Sequence, residues 1–74
     1  MVNTHEIDLT VMEFEQLRNN DYIIYQSNDI NTGDYILFRQ IEAGLFMMTQ
    51  VKEIIQNEGL KEGYGLLMVS KLVS

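Results

Sequence analysis

The residues of this chain that could perform acid–base chemistry stand close together near its N-terminus. His5 is the only histidine among 74 residues, and Glu6 and Asp8 occupy alternate positions just after it. An imidazole can act as a general base, and paired carboxylates can bind a cation or move a proton. The alternatives without chemistry are a histidine that hydrogen-bonds across the fold and a carboxylate pair that faces solvent. The chain has no cysteine and no evident nucleophile to pair with His5, so we predict no catalytic residue, metal ligand or cofactor.

A second group of residues could bind a nucleobase. Tyr25 is followed by the polar, uncharged run Gln26–Asn28. Aromatic rings stack on the splayed bases of single-stranded RNA, and uncharged donors and acceptors hydrogen-bond to base edges. Tyr35 and Tyr64 stand near glycines at the starts of predicted strands, so we expect structural roles for them. Tyr25 with its polar run is therefore the better candidate for base recognition.

Acidic residues outnumber basic ones, and this balance limits what the chain can bind. It carries 11 Asp and Glu against 5 Lys and Arg, a net charge of −6, and only Arg18 and Arg39 precede Lys52. Proteins that grip phosphate backbones gain affinity by neutralising phosphates with lysine and arginine. We therefore expect nucleic-acid binding to be local and weak. The acidic field favours a protein–protein adaptor as an alternative.

No segment of the sequence predicts secretion or insertion into a membrane. Residues 1–6 lack the basic and apolar regions of a signal peptide. Apolar runs such as Leu45–Met48 and Leu66–Val69 are far too short to span a bilayer. The absence of cysteine fits a reducing compartment. The sequence thus predicts a cytoplasmic protein without a membrane partner.

The N-terminal part of the sequence predicts a strand followed by a helix. Polar and apolar residues alternate over 4–9, which is typical of a half-buried strand. Thr10 and Glu13 then fit a capping box at the start of a helix that ends at Asn19–Asn20, because asparagine tolerates the left-handed conformation. The residues predicted to pack in the core are Ile7, Leu9, Val11, Phe14, Leu17, Leu37 and Val69.

The rest of the sequence predicts four more strands. They span 22–26, 35–41, 45–55 and 64–72, with turns at Gly33–Asp34 and Ala43–Gly44 and a loop over 56–63. A helix over 50–57 is the alternative for the end of the 45–55 strand. The five methionines, including Met12, Met47, Met48 and Met68, are expected to fill gaps in the core. Alternatively, Met47 and Met48, beside Phe46, leave an apolar patch for a protein partner or a second copy. Several short strands in so small a chain favour a barrel, because closure removes exposed edges.

Three segments together resemble a known family. Thr4–Ile7 opens the first strand, Gly33–Phe38 is similar to a Gly-Asp turn and strand, and Gly59–Tyr64 reads GLKEGY before the last strand. Their order and spacing resemble small bacterial and phage domains of unknown function, related to the activating-signal-cointegrator-homology (ASCH) domains of the PUA-like superfamily. The GLKEGY segment is the most specific of the three. The resemblance covers nearly the whole chain, which we therefore take as a single domain over residues 1–74.

The resemblance implies a fold and a class of function. The fold would be mainly β, a partly open barrel of five or six strands with one N-terminal helix. PUA-like relatives commonly bind RNA, so the chain would be a non-catalytic module that binds RNA or a nucleotide-like ligand. An enzyme acting on RNA or a modified nucleoside is an alternative. The resemblance also places His5 and the run after Tyr25 at a cleft, and the candidate nucleic-acid-binding residues are His5, Arg18, Tyr25, Gln26, Ser27 and Asn28.

One departure from the family bears on catalysis. ASCH-type domains usually carry a Lys, Glu and Arg signature between the first helix and the second strand, whereas residues 19–29 contain none of these three types. The counterparts of the acidic and basic signature positions are Ile23 and Tyr25. The resemblance therefore implies that the cleft chemistry of catalytic relatives is missing, and we predict that the chain is not an enzyme.

Overall fold

The strands of the chain form one sheet that a single helix covers. The computed structural model describes residues 2–26, 28–56, 59–60 and 62–73, with only the backbone of Val73. The elements are β1 (Thr4–Asp8), α1 (Val11–Asn19), β2 (Tyr22–Gln26), β3 (Tyr35–Gln40), β4 (Leu45–Ile55) and β5 (Tyr64–Val73). The five strands lie in the order β1-β3-β4-β5-β2 and curl into a half-barrel. This confirms the predicted mainly-β class with one N-terminal helix.

The strand pairing makes β1 and β2 the two edges of the sheet. β1 runs parallel to β3, while β3, β4, β5 and β2 pair antiparallel in turn. The register between β4 and β5 shifts twice, between Met48 and Thr49 and between Val51 and Glu53. Irregularities of this kind bend strands and increase their twist, which lets these two long strands follow the curl. β4 extends to Ile55, so the alternative of a helix over 50–57 is wrong.

Helix α1 begins and ends with side-chain hydrogen bonds to the backbone. Thr10 Oγ1 accepts from the Glu13 N–H at 3.2 Å, and Glu13 Oε1 accepts from the Thr10 N–H at 2.9 Å, which confirms the capping box. At the other end, Asn20 donates its backbone N–H and its Nδ2 to the Gln16 carbonyl, each at 3.0 Å. The predicted reason for this end is wrong: Asn20 is extended, with φ −127°, and not left-handed.

The core lies between α1 and the concave face of the sheet. Its apolar residues are Ile7, Leu9, Phe14, Leu17, Ile23, Ile30, Ile36, Phe38, Met47, Val51, Leu67 and Val69. Several residues predicted for the core are not among them, and of these Met12 is 82% exposed and Met68 is 37% exposed. Val11 is 51% exposed. Val11, Phe14 and Leu17 are spaced three residues apart, and three residues turn an α-helix by about 300°. Val11 therefore points about 120° away from Leu17 around the helix axis and lies off the buried face. Leu37 is half-buried on the outer face, since Ile36 and Phe38 take the inward positions of β3.

The observed bounds differ slightly from the predicted ones. β1 ends at Asp8, yet Leu9 is buried and its N–H continues the pairing with the Arg39 carbonyl at 2.7 Å. β3 ends at Gln40, and the turn that follows closes at Gly44, whose φ of +67° favours glycine. The predicted loop over 56–63, which includes most of the GLKEGY segment, lies partly outside the described residues. α1 has nine residues, far fewer than the roughly 20 apolar residues of a membrane-crossing helix, and it is the longest helix described.

Candidate functional site

A buried aspartate gathers three donors at the start of β3. Asp34 Oδ2 lies 2.8 Å from His5 Nε2 and 3.0 Å from the Asn31 N–H, and Oδ1 accepts from the Asn3 N–H at 3.1 Å. An ionised carboxylate can only accept hydrogen bonds, so Nε2 of His5 carries the proton. We call this group the Asp34 network. It joins β1 to the turn before β3.

The Asp34 network favours the charged form of its carboxylate. The hydrogen bond from His5, and then those from the backbone N–H groups of Asn31 and Asn3, lower the pKa of Asp34 to about 2. Asp34 is therefore ionised throughout the neutral range. Both of its oxygens are occupied, which makes the group a structural joint of the fold. His5 thus follows the expectation of a histidine that hydrogen-bonds across the fold.

The turn that carries Asp34 is itself fixed to β4. The Gly33 N–H donates to the Val51 carbonyl and the Val51 N–H donates to the Asp34 carbonyl, both at 2.8 Å, and Gln50 Nε2 donates to the Gly33 carbonyl at 3.2 Å. Gly33 has φ +96°, a conformation that favours glycine. The Gly-Asp pair was predicted only as a turn, and the role of Asp34 was missed. The one available signal was the pairing of a single histidine with an aspartate at a strand start.

A cleft of about 310 Å³ opens between α1 and the ends of β4 and β5. Its lining residues are Phe14, Arg18, Leu45, Phe46, Met47 and Lys71. Phe14 and Arg18 stand four residues apart on α1 and so share one side of the helix. Phe14 and Met47 are buried and form an apolar floor, whereas Phe46 is 72% exposed. We call this site the Arg18–Lys71 cleft.

Two cations sit at the border of this cleft. Lys71 Nζ donates to the Arg18 carbonyl at 2.8 Å and lies 3.4 Å from Asp21 Oδ1. Arg18 Nη1 lies 3.4 Å from Glu15 Oε1, and both of these side chains are more than half exposed. Ion pairs at such exposure contribute little and exchange readily with other anions. The guanidinium of Arg18 can therefore turn to a bound phosphate without a large loss elsewhere, whereas Lys71 is 25% exposed and its ammonium is held by the Arg18 carbonyl.

A second, more polar depression adjoins the first. It measures about 360 Å³ and is lined by Asp21, Lys52, Met68, Val69, Ser70 and Lys71. Lys71 belongs to both depressions. Three of the five basic residues of the chain thus lie along one continuous path. Asp21 also lines this path and Glu15 pairs with Arg18, so the path carries three positive and two negative charges in a chain of net charge −6.

The structure separates the residues that the sequence grouped as a nucleic-acid site. His5 lies in β1 and Tyr25 in β2, at opposite edges of the sheet, and these two strands do not touch in the described part of the chain. Tyr25 faces inward opposite Gly65 and packs against the core. Gln26 and Asn28 are exposed, Asn28 against Gly63, and Ser27 lies outside the described residues.

Of the predicted residues that the structure describes, only Arg18 lines the cleft. Lys71, near the end of the last strand, was not among the predicted site residues, yet it lines the same cleft. It contacts the backbone of Arg18 across 53 positions of sequence. Antiparallel pairing with β2 returns the far end of β5 to the C-terminal end of α1, a neighbourhood that only the strand order reveals. Phe46 was expected at an apolar patch and not at a ligand site.

No protein-family model matches the chain, and no curated protein matches it significantly.

Proposed function

We propose that the chain is a non-catalytic binding module whose Arg18–Lys71 cleft takes a nucleotide-like ligand, free or as one unit of a single-stranded RNA. The observation that carries the proposal is that two cations and the exposed ring of Phe46 line one cleft with the buried apolar residues Phe14 and Met47. A ring of this kind stacks on the face of a nucleobase, and arginine and lysine bind phosphate oxygens. The resemblance to PUA-like domains points to the same class of ligand.

Charge restricts the size of the ligand. Arg18 and Lys71 can neutralise one or two phosphates, and each contributes about −0.7 to the logarithmic salt slope of single-strand binding. The other charges of the chain sum to a strongly acidic field, which repels a long polyanion. We therefore expect a shallow slope and affinity on the order of micromolar or weaker.

The absence of catalysis is proposed from the state of the Asp34 network. The proton on Nε2 of His5 is already donated to Asp34, and the aspartate accepts two backbone N–H groups as well. A general base needs a lone pair within reach of a substrate proton. Both oxygens of Asp34 are occupied, and His5, whose Nδ1 keeps the lone pair of the ring, lines neither of the two depressions described above. Incubation with acylated nucleosides and short RNAs should give no turnover. Turnover that survives repurification and is lost in His5→Ala would contradict this.

Binding is tested by titrating fluorescent mononucleotides and short single-stranded RNAs at several salt concentrations. Phe46→Ala should weaken binding about 5- to 100-fold, the range of one lost base stack. Arg18→Gln should weaken it and make the salt slope shallower by about one phosphate contact. The matched control is Thr4→Glu, which lowers the net charge by the same amount at an exposed position of β1. Its binding should change less than twofold.

Three outcomes would count against the proposal. Equal losses in Arg18→Gln and Thr4→Glu would indicate a diffuse charge effect instead of a site. A larger loss of binding in Tyr25→Ala than in Phe46→Ala would indicate that the site lies at β2, as predicted from the sequence. No binding at any salt concentration would favour the adaptor function that the acidic charge predicts.

A further inference from the structure

The two edge strands of the sheet differ in how they are protected. β1 carries Glu6 and Asp8, both exposed, and Asp8 Oδ1 accepts from Arg39 Nε at 2.9 Å. β2 reads Tyr-Ile-Ile-Tyr-Gln and contains no charge, proline, glycine or bulge. Sheet edges in monomeric proteins are usually guarded by charge, proline or bulges, because their open backbone groups pair with other strands. β2 lacks all of these guards.

We propose that β2 pairs antiparallel with β2 of a second copy of the chain, about a two-fold axis at Ile24. Two half-barrel sheets then continue into one ten-stranded sheet. In the described part of the chain β2 contacts only β5 and α1, so its outer edge has no strand partner. The proposal concerns an edge remote from the Arg18–Lys71 cleft's floor, and it stands whether or not that cleft binds a nucleotide.

The sequence of β2 is complementary to itself in this register. A two-fold axis at residue 24 sets Ile24 against Ile24 of the partner subunit, Ile23 against Tyr25 of the partner subunit, and Tyr22 against Gln26 of the partner subunit. Pairs of β-branched and aromatic residues are among the favourable cross-strand pairs. The tyrosine–glutamine pairs lie at the two ends, where a hydroxyl and an amide can hydrogen-bond at a solvated rim.

Charge explains why the occupant is a second copy. An isologous interface brings each patch against itself, so a charged patch would repel its own copy. Asp21 and Asp29 lie outside β2, so neither carboxylate stands among the five paired positions. Beside β2, the outward residues of β5 include Leu66 and Met68 and no charged side chain among those described. A chain of net charge −6 can therefore meet itself here without like charges in contact.

The size of the contact sets the expected affinity. Five paired residues span about 17 Å, whereas stable complexes bury about 800 Å² on each partner. Against a total accessible surface of 5070 Å² that would be roughly one sixth of each chain. The edge alone covers less than this, so we expect a dimer that forms at micromolar concentrations and dissociates on dilution.

The first test is sedimentation velocity over a concentration series from low micromolar to millimolar. Ile24→Lys sets two ammonium groups against each other at the axis and should raise the dimer dissociation constant at least tenfold. Thr4→Lys is the matched control, because it adds the same charge at an exposed position of β1, and its constant should stay within twofold. Gln26→Lys, at the exposed end of β2, should give an intermediate loss. Thermal unfolding of each variant shows that its fold is retained.

The second test reads the register directly by oxidative cross-linking. The chain contains no cysteine, so one introduced thiol reports on one position. Ile24→Cys should form a disulfide-linked dimer rapidly, Thr4→Cys should not, and Tyr22→Cys should cross-link to Gln26→Cys in a mixture faster than either does alone. A monomer throughout the concentration series would overturn the proposal. So would a dimer equally sensitive to Ile24→Lys and Thr4→Lys, or equal cross-linking at residues 4 and 24.

Discussion

The edge strands β1 and β2 of one small sheet both have backbone groups that could pair with another strand, and they differ in how that edge is protected. At β1, a hydrogen bond from His5 to the buried Asp34 connects the strand to the turn before β3, and the carboxylates of Glu6 and Asp8 are exposed. At β2 the strand pairs with β5 on one side and presents uncharged residues on the other. Charge and a fixed joint terminate a sheet, whereas an uncharged edge leaves it open to extension.

The difference also separates local stability from interaction. The Asp34 network contains a histidine and an aspartate, residue types that could perform acid–base chemistry, and in this fold they connect β1 to the turn before β3. The features suited to binding lie on the other side of the molecule, at the Arg18–Lys71 cleft and along β2. In this chain the Asp34 network stabilises the fold, whereas the surfaces proposed for binding combine exposed aromatic and apolar residues with Arg18 and Lys71.

The largest expected effect comes from the helix that connects the two edges. Phe14 is buried between α1 and the sheet, so Phe14→Ala should lower the free energy of unfolding by about 3–5 kcal/mol. A domain of this size has about 4–11 kcal/mol in all, so both edges should loosen together. Urea denaturation measures the loss, with Met12→Ala as the control because Met12 is 82% exposed. A decrease in the free energy of unfolding below about 1 kcal/mol would show that α1 does not pack against the concave face of the sheet through Phe14.

The next effect should separate the edges. Asp34→Asn removes the charge that three donors share, so β1 should loosen from β3 while β2 stays paired with β5. Hydrogen exchange should show lost protection in β1 and little change in β2. Asp29→Asn makes the same substitution at an exposed position and should change neither strand. Uniform loss over both strands would mean that the network supports the whole fold.

The Asp34 network also predicts how acid acts. Because the folded-state pKa of Asp34 is lowered from 3.8 to about 2, the network stabilises the protein above about pH 4, and this contribution is lost as the pH falls through about 2. Wild type should therefore exceed Asp34→Asn in stability at neutral pH, and the gap should close between about pH 4 and pH 2. A gap that stays constant across this range would show that the charge of Asp34 is not what stabilises the fold.

A smaller effect is expected at the start of α1. Thr10→Ala removes the acceptor of the Glu13 N–H and should lower the free energy of unfolding by about 1 kcal/mol. Thr10→Asn keeps an acceptor at this position and should retain most of the stability. Since α1 follows β1 and precedes β2, the loss should not favour one edge. Equal losses in the two variants would show that the capping hydrogen bond is not the cause.

The sequence predicted the elements well because their signals are local. Strand alternation in β1, the capping box at Thr10 and the Gly33–Asp34 turn each depend on residues a few positions apart. The prediction that Val11 and Leu37 are buried was wrong for a related reason. Spacing shows that residues share a periodic pattern, but the partner element decides which members of the pattern meet it.

The candidate site was harder to predict because it depends on strand order. No local pattern indicates that Lys71 donates a hydrogen bond to the Arg18 carbonyl, because that contact requires β5 to lie beside β2. His5 and Tyr25 were grouped by resemblance, and the sheet places them at opposite edges. The role of Asp34 likewise needs β1 parallel to β3, a pairing of strands separated by a helix and another strand.

The smallest expected change in stability tests whether charge is what closes the β1 edge. The double variant Glu6→Gln/Asp8→Asn removes two exposed carboxylates and one exposed ion pair, so its free energy of unfolding should change by less than about 1 kcal/mol. Its association should change far more. A chain with one open edge stops at a dimer, but a chain with two open edges can add copies at both and grow. Light scattering should detect species larger than a dimer in this variant and none in Asp29→Asn/Glu42→Gln, which loses the same charge at exposed positions outside the strands. If both double variants assemble alike, net charge keeps the copies apart; if neither grows beyond a dimer, the geometry of β1 guards that edge without its carboxylates.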